Sequence, residues 1–273
     1  MTTPLVSVVV PTKDVERTVG RCLRSIRSQT YPALELVVVD NFSSDRTFEI
    51  AEELADIAVQ AGPERSAQRN LGIDLATGEY VLWIDADMVL TPHVVADAVA
   101  AAQAAAATGV FIPEQTVGSG FWTACRALER RCYVGVELIE APRLIRREWF
   151  SSHGGFVGDV AGQEDADIRM RLLRDGSRMP HVDTVILHDE GHLTLGFILR
   201  KRYYYGKSLP AYNRAQPGAI AAQGRATLGA MVVGLPTLAQ QPFHAVALVA
   251  LRAAEAAAYA AGAARASWGA RQA

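Results

Sequence analysis

Leu5-Val6-Ser7-Val8-Val9-Val10-Pro11-Thr12-Lys13-Asp14 sets the fold class. Leu5 to Val10 is short, rich in β-branched side chains and closed by Pro11, the pattern of a buried strand. It runs straight into a polar cluster, Pro11 to Asp14. Downstream, Val15 to Gln29 carries apolar residues at Val15, Val19, Cys22, Leu23 and Ile26, the spacing of a helix with one buried face. Leu34 to Val39 repeats the strand pattern and ends at Asp40-Asn41. Asp45 to Leu54 predicts a second helix, with Ser43, Ser44 or Asp45 available to cap it. A short strand at Ile57 to Val59 and a helix over Ser66 to Leu75 follow. Tyr80 to Ile84 is a third clear buried strand, ending at Asp85-Ala86-Asp87, and Pro92 to Ala107 is an Ala-rich helix.

Strands alternating with helices predict an α/β fold with a mainly parallel sheet and right-handed crossovers. Ligands of such sheets gather beyond the carboxyl ends of the strands. Pro11 to Asp14, Asp40-Asn41 and Asp85 to Asp87 all lie at such ends, so they are expected to converge on one edge.

The second half is less regular. Strands are expected at Val110 to Pro113 and Thr184 to Leu187, and helices over Phe121 to Leu138, Glu164 to Leu173 and Leu195 to Tyr205. Phe156 to Gly162 reads as a loop. From about Ala219 the composition turns to Ala, Val and Leu, and no Asp, Glu, Lys or Arg occurs between Ala226 and Leu251. A membrane-spanning helix needs about 20 continuous apolar residues. Pro236, Gln240, Gln241 and Pro242 interrupt this stretch, so neither half is expected to span. The expectation is helices that pack on the domain, pair with a second copy or lie in a membrane interface. Charges in the tail are Arg225, Arg252, Arg265 and Arg271 against Glu255. The domain organisation read from these patterns is 1–215, in two halves that meet at about 110. A helical appendage over 216–273 completes it.

With 273 residues, half of them hydrophobic, the chain can bury a substantial core, and a formal net charge of -2 gives no sign of a nucleic-acid binder. Cys22, Cys125 and Cys132 are too few for a disulfide framework and read as reduced thiols of a cytoplasmic protein. The short polar segment before the first strand does not read as a signal peptide.

Asp85 and Asp87, two apart after a buried strand, can bind one magnesium or manganese ion that keeps places for phosphate oxygens. The alternative is a pair of solvated turn acids. Asp40 could accept a hydrogen bond from the imide edge of a base, or cap a turn. Asp14 could work near the base or ribose. Arg69 and Asn70 could hold their loop against a nucleotide, or open an ordinary surface helix. Glu164-Asp165 follows a Gly-rich segment and opens a helix. Either acid could serve as general base to an acceptor hydroxyl, or both could simply favour a helix start. His188, and less readily His192, could complete a cation shell. Arg200, Lys201, Arg202 and Lys207, threaded by Tyr203 to Tyr205, could bind phosphate or form a solvated or membrane-facing basic face.

Taken in order, Val6 to Asp14, Glu35 to Thr47, Ala67 to Gly72, Ile84 to Asp87, and Gly154 to Phe156 with Gln163 to Ile168 make the chain resemble the family 2 glycosyltransferases of GT-A fold. The resemblance covers about residues 5 to 190 and implies a nucleotide-binding half over about 1–110 and an acceptor half over about 111–215. It implies that Asp40 contacts the base, Thr12 and Asp14 line the nucleoside pocket, Asp85 faces ribose or sugar hydroxyls, and Asp87 ligates the ion. It further implies Asp165 as catalytic base and His188 as a further metal ligand. Candidate donor contacts are therefore Pro11, Thr12, Asp14, Asp40, Arg69, Asp85, Ala86 and Asp87. Catalytic candidates are Asp165 and Glu164, and Gly155, Arg202 and Lys207 are candidates for phosphate or acceptor contacts. Asp40-Asn41 stands where many relatives have two acids. No Gln-x-x-Arg-Trp segment of processive synthases occurs, which favours transfer of one sugar. The expected activity is inverting, metal-assisted transfer from a UDP- or GDP-linked sugar to an acceptor hydroxyl, lipid-linked acceptors included. The expected place is the cytoplasm, with peripheral contact at the inner membrane face or homodimerisation through the C-terminal helices. A nucleotidyltransferase, or a non-catalytic nucleotide-sugar-binding membrane-associated protein, would use the same acids.

Overall fold

The structure, a computed structural model, describes residues 3–272; the side chains of residues 159 and 269–272, Arg271 among them, lie outside the described residues. Contacts divide the chain into two compact units that interleave in sequence. The first comprises 1–114, 141–158 and 171–188, and the second 115–140, 159–170 and 189–273.

The first unit is built on a six-stranded sheet. In chain order its strands are β1 (Val6–Thr12), β2 (Leu34–Asp40), β3 (Ile57–Gln60) and β4 (Tyr80–Trp83), with β6 (Gly109–Phe111) and β8 (Pro142–Arg146) following a separate strand β5 (Met88–Leu90). Their spatial order is β3-β2-β1-β4-β8-β6. The first four run parallel, as the alternation predicted. β8 and β6 close the sheet antiparallel. The helices are α1 (Glu16–Arg27), α2 (Thr47–Leu54), α3 (Arg65–Leu75), α4 (Val94–Ala104) and α6 (Arg147–Ser152).

Every residue of β1 is buried, which explains its near-continuous apolar run: a parallel strand covered on both faces has no polar side to show. Val8 and Val10 of β1, Leu36 and Val38 of β2 and Leu82 of β4 join Val19, Cys22, Leu23 and Ile26 of α1 and the buried face of α4 in one core. On the other face α3 approaches so closely that a Cβ on Gly72 would lie 2.4 Å from Val9 Cγ1. Helix α1 buries Val19, Cys22, Leu23 and Ile26, as its spacing marked, while Val15 stands half-buried at its N-cap. No pattern in the sequence marks β5, β8 or α6, and the last predicted strand is displaced. It runs over Ile186–His192 (β9), so His188 lies within a strand rather than after one. Its first residues pair antiparallel with β5, Met88 opposite His188.

The second unit is mostly helical. It holds β7 (Glu114–Ser119, all but its first residue), α5 (Phe121–Arg131), α8 (Leu195–Gly206), α9 (Leu209–Ala215), α10 (Ala219–Val233), α11 (Leu235–Ala239) and α12 (Pro242–Gln272). α7 (Glu164–Arg174), like β7 and β9, contributes residues to both units. α12 packs on α5, α8 and α9. The expectation that no part of the tail is long enough to span is corrected here: beyond Pro242 it is one helix of 31 residues, and Pro242–Trp268 is long and apolar enough to cross a membrane by length and composition. Pro242 stands at the first position of that helix, where its missing N–H costs nothing, so it starts the helix rather than breaking it.

A buried ionic cluster joins three of these helices. Glu255 of α12 is 1% exposed. Its carboxylate accepts from Arg126 Nη2 of α5 at 2.5 Å, Arg202 Nε of α8 at 2.6 Å and Arg252 Nη1 at 3.2 Å. Arg126 also holds Glu129 at 2.5 Å, and the Tyr133 hydroxyl donates to Glu129 at 2.6 Å. By sequence alone Arg252 and Glu255 are two scattered tail charges. Burial pushes the Glu255 carboxyl up, but the Arg202 and Arg126 guanidiniums outweigh it and hold it at about 2. A carboxyl held below its ordinary value of 4.5 contributes stability that is complete above that value and lost as pH falls through about 2. Glu255→Gln should therefore cost about 3 kcal/mol, because it strands buried guanidiniums. Urea unfolding at neutral pH measures that loss, and the variant should also lose part of the wild-type decline in stability below pH 4.5.

Candidate functional site

Parallel pairing brings the predicted ends together. Thr12 lies opposite Asp40, and Val9 lies opposite Trp83, so Asp85, two residues beyond Trp83, is level with the end of β1. Gln68 of α3 ties this edge from beneath: its side-chain amide donates to the carbonyls of Thr12 and Val39 at 2.9 and 2.7 Å.

The loops after β1 and β2 are laced to each other. Asp40 is 0% exposed. Its Oδ1 accepts from the hydroxyls of Thr12 and Ser43 at 2.8 and 2.5 Å, and its Oδ2 from the Ser43 amide and the Gln60 side chain at 2.8 and 3.1 Å. A carboxylate offers about four acceptor positions, so this one is filled from within the protein. Asp14 and Phe42 both adopt left-handed backbone, φ 49° and 52°, which is uncommon for residues with a Cβ and concentrates at functional sites. The bracing is mutual: the Ser44 amide donates to Asp14 Oδ1 at 2.8 Å and Lys13 Nζ to the Phe42 carbonyl at 2.7 Å. The backbone N–H of Ser44 holds the exposed Asp14 carboxyl below its ordinary value.

The two acids after β4 have different roles. Asp85 is paired with Arg69 Nη2 at 2.7 Å and Arg65 Nη1 at 3.5 Å. Burial pushes its carboxyl up, but Arg69 and then Arg65, Arg143 and His188 outweigh it and hold it well below the usual range. Arg69 is fully buried rather than at a surface helix start, and its guanidinium lies 5.1 Å from the Phe156 ring centre. Ala86 is buried. Asp87 is the acid turned outward: its side chain is 40% exposed, while its Oδ1 is buried and accepts no hydrogen bond from a described residue.

His188 meets Asp87 across the β5–β9 pairing, its Nε2 3.5 Å from Asp87 Oδ2. Its Nδ1 is 3.0 Å from Glu114 Oε2, and Glu114 in turn accepts from Arg143 Nη2 at 2.5 Å. A proton on Nδ1 donated to Glu114 leaves a lone pair on Nε2 toward Asp87, the tautomer a ligating imidazole needs. Glu114 and Arg143 went unnoticed in the sequence because neither belongs to a motif; only the fold brings them behind His188. Among the described residues no group of three or more His, Cys, Asp or Glu side chains is arranged to hold a metal. Magnesium and manganese are commonly held by one or two protein ligands plus substrate phosphates. The Asp87–His188 pair, with its unpartnered buried oxygen, fits such an ion.

Asn70 fixes the glycine segment. Its side chain donates to the Phe156 carbonyl at 2.9 Å and accepts from the Phe156 amide at 2.8 Å. Gly155 has φ 68°, and a Cβ there would lie 2.6 Å from Asn70 Oδ1.

In the second unit Glu164 is buried at the start of α7 and Asp165 beside it is half-buried. One turn on, Arg169 is buried with Nη1 donating to the carbonyls of Ile139 and Glu140 at 3.1 and 3.0 Å. Burial pulls the Arg169 guanidinium down to about 10, opposed by Tyr212 and by the charge of Asp165. Arg202 is turned inward onto Glu255 and Tyr259, whereas Lys207 is exposed over the rings of Tyr203 and Tyr204. His192 lies at the end of β9 and is exposed.

A mixed, mostly parallel sheet flanked by helices, with the acids of three parallel strands at one edge, defines a GT-A-like protein. The family model for Glycosyl transferase family 2 matches residues 7–163, more than half of the chain, and the chain belongs to that family. It is 33% identical over 152 residues to the uncharacterized glycosyltransferase EpsJ of Bacillus subtilis, covering 53% of this chain and 41% of that one. It is 36% identical over 101 residues to glycosyltransferase AglE of Haloferax volcanii, covering 34% and 33%. These matches thus span less than half of either relative. Among solved structures, the mannosyltransferase PcManGT from Pyrobaculum calidifontis, in complex with GDP-Man and Mn2+, superposes with a TM-score of 0.64 at 23% identity over 98% of this chain and 88% of that chain. Residues 1–349 of TarS from S. aureus, in complex with UDP-GlcNAc, superpose with a TM-score of 0.57 at 17% identity over 97% and 92%. These structural likenesses establish the fold.

Gly155→Ala should destabilise the protein by about 1–2 kcal/mol, the cost of left-handed backbone for a residue with a Cβ, and the Asn70 clash adds to it. Thermal unfolding measures this, and Gly154→Ala, which meets nothing within 4 Å, isolates the backbone contribution.

Proposed function

We propose that this chain is a metal-assisted, inverting glycosyltransferase that moves one sugar from a UDP- or GDP-linked donor to an acceptor hydroxyl. The observation that carries the reading is the single edge formed by Thr12, Asp14, Asp40 and the Asp85–Asp87 turn, where Asp87 presents a buried oxygen that accepts no hydrogen bond from a described residue. Thr12 and Asp14 line the nucleoside end, beside the loop that the buried Asp40 carboxylate holds in shape from behind the base. Pro11 and Ala86 shape the edge, and Asp85, locked by Arg65 and Arg69, fixes the turn beside the ribose or sugar hydroxyls. Asp87 and His188 are the residues that would hold a manganese or magnesium ion. Bound there, such an ion supplies charge neutralisation for the departing diphosphate. The GDP-Man and Mn2+ of the PcManGT complex support this choice of donor class and metal.

Asp165 is the general base of the mechanism. It takes the proton of the acceptor hydroxyl as that oxygen bonds to the anomeric carbon and the bond to the diphosphate breaks, which inverts the centre. Its half-buried position at a helix start suits the role, and the buried Arg169 guanidinium stands one turn along. Glu164, buried beside it, supports that turn. Gly155 and Lys207 are assigned to phosphate or acceptor contact, while Arg202, turned onto Glu255 and Tyr259, is assigned a supporting role within the second unit. The acceptor is a hydroxyl, and the exposed apolar face of α12 supports lipid-linked acceptors among the candidates.

Asp165→Asn should abolish transfer, by about 100-fold or more for loss of a general base, while donor binding by calorimetry stays near wild type. Wild-type turnover in this variant removes Asp165 from the mechanism. Chelation with EDTA should stop transfer and manganese should restore it. Asp87→Asn should weaken manganese binding in the presence of the nucleoside diphosphate, read by electron paramagnetic resonance. Pyrophosphate release from a nucleoside triphosphate would instead make the protein a nucleotidyltransferase.

A further inference from the structure

Helix α12 is built inside out. Between Phe243 and Ala264 its ionised residues, Arg252 and Glu255, point into the unit, where Glu255 meets Arg126 and Arg202. From Phe243 to Ala264 every exposed residue is apolar. Phe243, Val246 and Val249 are 84%, 73% and 67% exposed, and they are followed at helical spacing by exposed Ala253, Ala256 and Ala260. A water-facing helix shows the opposite polarity. The segment before it continues the pattern: Leu228, Val232, Val233 and Leu235 are all exposed, with no charged residue between Ala226 and Leu251. Contiguous exposed apolar surface of this kind marks an interaction site.

We propose that the outward face of α12, with the end of α10 and α11 before it, docks this protein into the headgroup–acyl boundary of an anionic lipid bilayer, lying along the surface without crossing it. Two observations exclude crossing. Glu255 is pinned by three guanidiniums from three helices, and taking α12 into hydrocarbon would strand those charges. The helix is also seated against α8 at two glycines: a Cβ on Gly206 would lie 2.4 Å from the Tyr259 carbonyl oxygen, and one on Gly262 2.2 Å from the Tyr203 carbonyl oxygen. One face is thus committed to the protein and only the other is free for lipid.

Charge selects lipid over a second copy of the chain. From Asp189 onward the sequence holds three acids against nine Lys and Arg. The acids are Asp189, Glu190 and the buried Glu255, so beyond Glu190 the ionised side chains that reach solvent are cationic: Arg200, Lys201, Lys207, Arg214, Arg225 and Arg265 among the described exposed residues. Apolar surface within a cationic field suits anionic headgroups, whereas pairing two copies would set like charges together. Trp268, 63% exposed near the end of the face, is the side chain that favours the headgroup level.

The test is flotation of the full chain with vesicles of phosphatidylcholine, alone or mixed with phosphatidylglycerol. No donor or acceptor is added, so the outcome stands apart from the transferase reading. Wild type should float with the mixed vesicles, detach in alkaline carbonate and bind less at high salt. The triple variant Phe243→Ser, Val246→Ser and Val249→Ser should lose partitioning by about tenfold or more, since each side chain exchanges lipid for water. Its thermal unfolding should be unchanged, because all three positions are exposed. Arg225→Ala and Arg265→Ala should each reduce the preference for anionic vesicles about fivefold. Three results would overturn the proposal: no vesicle binding by wild type, vesicle binding unaffected by the triple variant, or retention in the membrane through carbonate. A lipid-free dimer that the triple variant dissolves would overturn it in favour of a second copy.

Discussion

The parallel pairing of β1 between β2 and β4 is the constraint on which the rest of the first unit depends. Parallel strands place their carboxyl ends on the same side, so Thr12, Asp40 and the Asp85 turn meet although up to 73 residues separate them. The loops at that edge cannot be shaped by local preference alone. Asp14 and Phe42 take left-handed backbone at positions where a Cβ is unfavourable, and the hydrogen bonds to Asp40, Ser43 and Ser44 are what hold them there. Asp40 therefore does for the loops what a glycine-rich sequence would do by flexibility, but with a fixed outcome.

The buried charges sort the candidates. A carboxylate surrounded by guanidiniums stays ionised but is already partnered, and Asp85 is in that position. What remains open at the edge is Asp87, backed by His188, whose orientation is in turn fixed by Glu114 and Arg143. The arrangement is graded from rigid to available: two ion pairs deep in the unit hold one imidazole and one carboxylate at its rim. Preorganisation of this kind lets a site receive a diphosphate without rearranging.

The second unit inverts the usual distribution. From Phe243 to Ala264 its most apolar helix keeps its charges inside and its hydrocarbon outside, and the buried cluster around Glu255 is the reason that inversion is stable in one orientation. Buried ion pairs add little net stability over apolar packing but penalise any arrangement that separates them. Here that penalty fixes which face of α12 looks outward, and the glycine contacts with α8 fix how closely it lies.

The parallel core was legible because its physics is local. Runs such as Val6 to Val10 and Tyr80 to Ile84 announce strands buried on both faces, and the polar residues that end them announce the edge. Among the elements that were missed, β5, β8 and α6 are short; the two strands draw their stability from antiparallel partners far away in the chain, which no periodicity records. The same limit applies to the side chains. Sequence marked Asp85, Asp87, His188 and Asp165 as chemistry-bearing, but which acid is locked and which is open depends on Arg65, Arg69 and Glu114 arriving from elsewhere. Composition showed the tail to be apolar and its few charges basic. That Glu255 and Arg252 face inward, leaving Phe243 and Val246 to solvent, was settled only by tertiary packing, because a buried carboxylate is tolerable only where distant guanidiniums come together to meet it.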